Sequence, residues 1–79
     1  MAHTFEDLVQ LEQAAVQAHA RYTAPDTGDV DAARRAWVDA AAAFQTAVTE
    51  HAQAEGKPRI DVEMAVKKTV RHPAERSTG

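Results

Sequence analysis

Four histidines and twelve carboxylates are the residues of this chain with the chemistry for metal binding or acid–base work. Metal ligands on one helix come at i and i+3 or i+4. His19 has Ala15 and Val16 at those offsets and so has no local partner. Glu12 lies seven residues back, about 10 Å along a helix and too far to share an ion. His51 and His3 come together only if the chain folds into a hairpin, with Glu50 and Glu55 nearby; there the reading is a half-buried spacer rather than a ligand set. The expectation is no metal, no catalytic residue and no cofactor. The isolated Gly28, Gly56 and Gly79 form no phosphate-binding loop. The single serine, Ser77, forms no nucleophile elbow. With no cysteine there is no thiolate or disulfide chemistry. The carboxylates fall on helix faces and caps, where nothing encloses one to raise its pKa.

Basic charge is the one chemical feature with functional leverage. Residues 1–56 hold three basic and nine acidic groups, whereas residues 57–79 hold six basic and three acidic. Lys57, Arg59, Lys67, Lys68, Arg71 and Arg76 thus crowd into less than a third of a chain whose overall charge is −3. Met64, Lys67, Lys68 and Arg71 share one helix face, an apolar side chain amid cations. That composition suits an acidic, partly apolar protein surface, and these four are the predicted partner-binding residues. Phosphate binding by the same face makes a nucleic-acid-binding accessory protein the alternative. The plain counterpart of both is a solvated face whose cations favour the C-terminal helix dipole or pair with the acidic remainder of the chain. No aromatic side chain is interleaved with the cations, which argues against stacking on single strands.

The elements that position these residues follow from periodicity. Leu8, Leu11, Ala15, Ala18 and Tyr22 recur at spacings of three and four, with Phe5, Val9 and Val16 as a flanking stripe. Thr4 is placed to cap that helix, with Asp7 reaching back. Ala24–Pro25–Asp26–Thr27–Gly28 reads as a tight connection. A second helix runs from about Asp29 to Glu55, ending on Gly56. Within it Val30, Trp37, Phe44 and His51 alternate with Ala33, Ala40, Ala47 and Ala54 in an a/d heptad. The short connection makes the two helices antiparallel, with facing residue numbers summing to about 52. Tyr22 is then expected near Val30, Ala15 near Trp37 and Leu8 near Phe44.

A third helix is expected from an Asp61 N-cap to Arg71 or His72, stopped by Pro73. A strand through Ile60–Val66 is the competing reading, and it has no partner to pair with. Its Val62, Val66 and Val70 are assigned to a smooth flank of the second helix formed by Ala36, Ala40, Ala43 and Ala47. Ala52, Gly56 and Val62 also have the offsets of a helix-turn-helix, although Glu55 and Lys57 stand where that motif is apolar and the turn reads as too long.

The expectation is therefore an all-α chain: an antiparallel helical hairpin with an Ala-rich heptad seam and a short third helix. Residues 1–73 form one domain, with helices at about 4–23, 29–55 and 61–72, and 74–79 form a flexible tail. Eighteen of the 35 apolar residues are alanine, so the core is thin, and a homodimer is as compatible with the pattern as a monomer. No apolar run approaches a membrane span, and the first residues lack a basic start and apolar stretch. The expected setting is cytoplasmic. The expected role is a non-catalytic protein–protein interaction module.

Overall fold

A computed structural model describes residues 3–71, which form three helices: α1 (Phe5–Thr23), α2 (Val30–Glu55) and α3 (Arg59–Arg71). No strand occurs among the described residues. None of their helices is long and apolar enough to cross a membrane. The stop at Pro73, the tail from Ala74 and Arg76 lie outside the described residues.

Local chemistry sets each end. The Thr4 hydroxyl accepts from the Asp7 backbone N–H at 3.1 Å, and the Asp7 carboxylate accepts from the Thr4 N–H at 3.1 Å, a complete capping box. Asp29 caps α2 by accepting from the Ala32 N–H at 3.0 Å. The connection between them closes on the Thr27 N–H donating to the Ala24 carbonyl at 3.3 Å, with Pro25 and Asp26 at the turn's centre. The Thr27 hydroxyl reinforces it by donating to the carbonyls of Ala24 and Arg21. Gly28 has no positive φ, so this turn does not depend on a glycine.

At the other end of α2, Gly56 does what only glycine does comfortably. Its φ of 64° is left-handed, the Lys57 N–H reaches the Ala52 carbonyl at 3.0 Å, and the Gly56 N–H reaches that of Gln53 at 3.4 Å. This pair of bonds satisfies the last α2 carbonyls and reverses the chain. α3 then begins at Arg59, two residues before the expected Asp61 cap. The Pro58 carbonyl accepts from the N–H groups of Asp61 and Val62, which leaves Asp61 inside the first turn. The turn is Gly56–Lys57–Pro58, shorter than its composition suggested.

α1 and α2 pack along the alanine seam. Leu8, Phe44, Ala33 and Ala47 are buried, while the seam frays at both ends, where Val30 and Ala54 are exposed. Tyr22 is half-buried at the turn end of the seam. It stacks on Trp37, with ring centroids 5.6 Å apart, and His19 packs on the same indole at 4.9 Å. Long helical side chains lean toward their own N-terminus, so each ring covers the turn before its Cα. In an antiparallel pair the two leans converge, which brings Tyr22 and Trp37 together although their backbones are offset. At the open end, His3 against Glu50 keeps the expected register.

α3 does not lie on the Ala36–Ala43 flank, where both alanines are exposed. It seats on the opposite side of the hairpin, joining Val62 and Val66 to Leu8, Val9, Val48 and Ala52 in one core. The reason is area. There each helix of the hairpin offers a valine, Val9 on α1 and Val48 on α2, and burying those stabilises more than burying alanine.

Candidate functional site

Helical spacing places Ile60, Met64, Lys68 and Arg71 in one outward stripe of α3, opposite Val62 and Val66. Met64 is 63% exposed and Ile60 59%, and Lys68 and Arg71 are exposed as well. The depression beside them, of about 440 Å³, is lined by Met64, Ala65, Lys67, Lys68 and Arg71 alone, all from α3. It is a surface between side chains of one helix, not a cavity between elements.

All four predicted residues line this depression, and Lys67, at the edge of the stripe, also reaches the helix flank. Its Nζ lies 3.4 Å from Glu63 Oε2 on the helix flank, and Glu63 Oε1 also accepts from Arg59 at 3.1 Å. Arg59 in turn donates to the Thr49 hydroxyl at 3.1 Å, so this ladder pins the start of α3 to α2. Ile60 belongs with the stripe and was missed. Its signal was present, one turn before Met64, but it was read as part of the connection.

A second feature lies between α1 and α2, with Lys67 its one lining residue from α3. A cleft of about 330 Å³ is lined by Glu12, Val16 and His19 from α1, Trp37, Ala41 and Gln45 from α2, and Lys67 at its edge, with Phe44 and Ala15 beneath. Glu12 interrupts the apolar face of α1 beside Trp37 without bonding to the indole. Its carboxyl meets the field of α3 instead, and burial pushes its pKa above the usual carboxylate range, with Lys67 and Arg71 opposing and Glu63 assisting. Gln45 Oε1 is buried without a hydrogen-bond partner.

The Glu12 shift has a testable sign. A carboxyl with a raised folded pKa binds more protons folded than unfolded, so stability falls as pH climbs from the ordinary value of 4.5 through the folded one. Glu12→Gln is therefore expected to melt higher than the parent protein at pH 7. The advantage should disappear at pH values below 4.5, where the carboxyl is protonated in both states. Melts across pH with an unchanged difference would contradict the burial account.

The histidines at the open end are structural in their contacts. His3 Nε2 lies 3.0 Å from Glu50 Oε1, and His51 Nδ1 lies 2.6 Å from the His3 carbonyl, which ties the chain before α1 to the last turns of α2. Among the described residues no three His, Cys, Asp or Glu side chains converge as metal ligands would.

Fold and surfaces together define a small three-helix protein carrying a basic, partly apolar helix face and a half-open interhelical cleft. No protein-family model matches the chain, and no curated protein or solved structure matches it.

Proposed function

We propose that this protein is a non-catalytic interaction module that presents the outer face of α3 to an acidic, partly apolar surface of a protein partner. The observation that carries this reading is the stripe Ile60–Met64–Lys68–Arg71. Two large apolar side chains more than half exposed stand in line with two exposed cations. Exposed apolar groups placed together are unfavourable in water and become favourable on contact, while flanking cations steer the approach. A solvated face of a marginal domain has no need of the first.

The test is photo-crosslinking in the native host, with the reactive group at position 64 and, as a control, at position 13 on α1. Crosslinked partner is expected at 64 and not at 13, and Lys68→Glu is expected to reduce it about tenfold. Equal labelling at both positions, or indifference to Lys68→Glu, would place the partner surface elsewhere.

One observation favours the nucleic-acid alternative. The three-residue turn Gly56–Lys57–Pro58 between α2 and α3 has helix-turn-helix length, and Ala52 and Val62 on either side of it are both buried. Glu55, Lys57 and Asp61 are exposed charges where the motif wants contact or neutrality. The two readings separate by salt. Anisotropy of labelled duplex DNA should stay flat if the partner is protein, whereas phosphate binding would appear at low salt and weaken log-linearly as salt rises.

A further inference from the structure

The groove between α1 and α2 is longer than the helix that fills it. α3 has 13 residues and α2 has 26, about 20 Å of helix against about 39 Å. Along the covered half, Val62 and Val66 close over Val9 and Val48. Past the end of α3 the same two stripes continue, and among the described residues their valines are exposed. Val16, two turns past Val9 on α1, is 49% exposed; Val38, on the face of α2 that carries Ala41 and Gln45, is 45% exposed. Between them lies the cleft that holds Trp37.

We propose that this uncovered half-groove is a docking site for one helix of a protein partner, with small or β-branched apolar residues at i, i+4 and i+7 and acidic flanks. α3 itself shows the shape that fits: Val62 and Val66, at i and i+4, fill the other half, and Val70 at i+8 packs in part against the same core. The acidic flanks follow from the charges at the two ends of the cleft. Lys67 edges one end, with Arg71 acting on the Glu12 carboxyl from the same side. Arg34 stands toward the other, at i−4 from Val38 and i−7 from Ala41 on one helix face, with exposed Arg35 beside it. A second copy of this chain is a poor occupant. Its outer α3 stripe would bring Lys68 and Arg71 against these cations, and its own cleft would bring like charges together. The site shares the Lys67 and Arg71 end of α3 with the outer stripe, but Ile60, Met64 and Lys68 take no part in it.

Trp37 is the chain's only tryptophan, so its emission reads the cleft directly. The full chain would be titrated with a tryptophan-free helical peptide carrying valine at i, i+4 and i+7 and glutamate on its flanks. A second peptide would keep the valines and carry lysine instead. The expected result is a saturable blue shift with the glutamate peptide and none with the lysine peptide. Val16→Glu should weaken binding about tenfold, Arg34→Glu with Arg35→Glu should also weaken it, and Lys68→Glu should leave it unchanged. Because all these positions are exposed, circular dichroism should show the variants folded. No saturable shift, equal response to both peptides, or loss in Lys68→Glu with retention in Val16→Glu would each overturn the proposal. So would a blue shift on concentrating the protein without peptide, which would make a second copy the occupant.

Discussion

Phe44→Ala is expected to lower stability by about 4 kcal/mol, the range measured when a buried aromatic side chain is truncated and a cavity is left. A chain of this length has about 4 to 12 kcal/mol in total. The midpoint of thermal unfolding should fall by about 20 °C, and part of the population should be unfolded before heating begins. The argument rests on how few large side chains the core contains. Phe44 is 1% exposed and is the largest fully buried residue; its neighbours are Leu8, a handful of valines and alanines. Alanines and valines are stiff and short, so the site collapses poorly around the missing ring. Trp37→Ala is the control, since its indole is half-exposed and stacks on Tyr22 and His19 at the edge of the seam. Thermal melts followed by circular dichroism compare the two. A loss at Phe44 no larger than that at Trp37 would mean that the hairpin seam, not the three-helix core, sets stability.

What could be read beforehand sorts by the range of the interaction. The capping box at Thr4 and Asp7, the Asp29 cap and the left-handed Gly56 are local, and residue type with spacing specifies them. The heptad of Trp37, Phe44, Ala33 and Ala47 is nearly as local, because an antiparallel partner twenty residues away meets whatever stripe the period lays down. The flank chosen by α3 was not legible in the same way. Ala36 and Ala43 made a smooth groove on paper, but the choice depended on which flank offered valines from both helices at once. That is a property of the hairpin after it forms. Phe5, Val9 and Val16 had been recognised as a second stripe of α1, and the step not taken was to pair it with Gln45, Val48 and Ala52 across the groove.

The candidate surface divides along the same line. Met64, Lys68 and Arg71 follow from helical spacing alone, and so would Ile60 once the start of α3 moves from Asp61 to Arg59. Lys67 follows as well, at i+3 from Met64 and i−4 from Arg71, but its second contact could not be read from its own helix. Its flank position follows from α3 sitting beside Glu12 and the Trp37 cleft, and from Glu63 one turn away. The Glu12 carboxyl shows the reverse case. The sequence weighed it as a partner for His19, whereas the charges acting on it come from α3, which the sequence placed on the wrong side.

Whether α3 completes the core or merely rests on it is decided by Val66. The side chain is fully buried and belongs to the cluster that joins all three helices. Val66→Asp puts an ionisable carboxyl into that cluster, where the described core contains no buried polar or charged residue to meet it. A buried charge without a partner costs several kcal/mol, about 3 or more. The domain can escape that cost only by releasing α3. Release would uncover Leu8, Val9 and Val48, so the expected variant binds a hydrophobic dye, loses cooperative melting and retains much of its hairpin helicity. Met64→Asp introduces the same carboxyl two residues earlier on the same helix, into water. It should leave melting within about 0.5 kcal/mol of the parent. The pair therefore separates loss of helix propensity, common to both, from loss of packing, which only Val66 supplies. A Val66→Asp protein that melts as cooperatively as Met64→Asp would show a hairpin stable without α3, leaving that helix free to move when a partner meets its outer face.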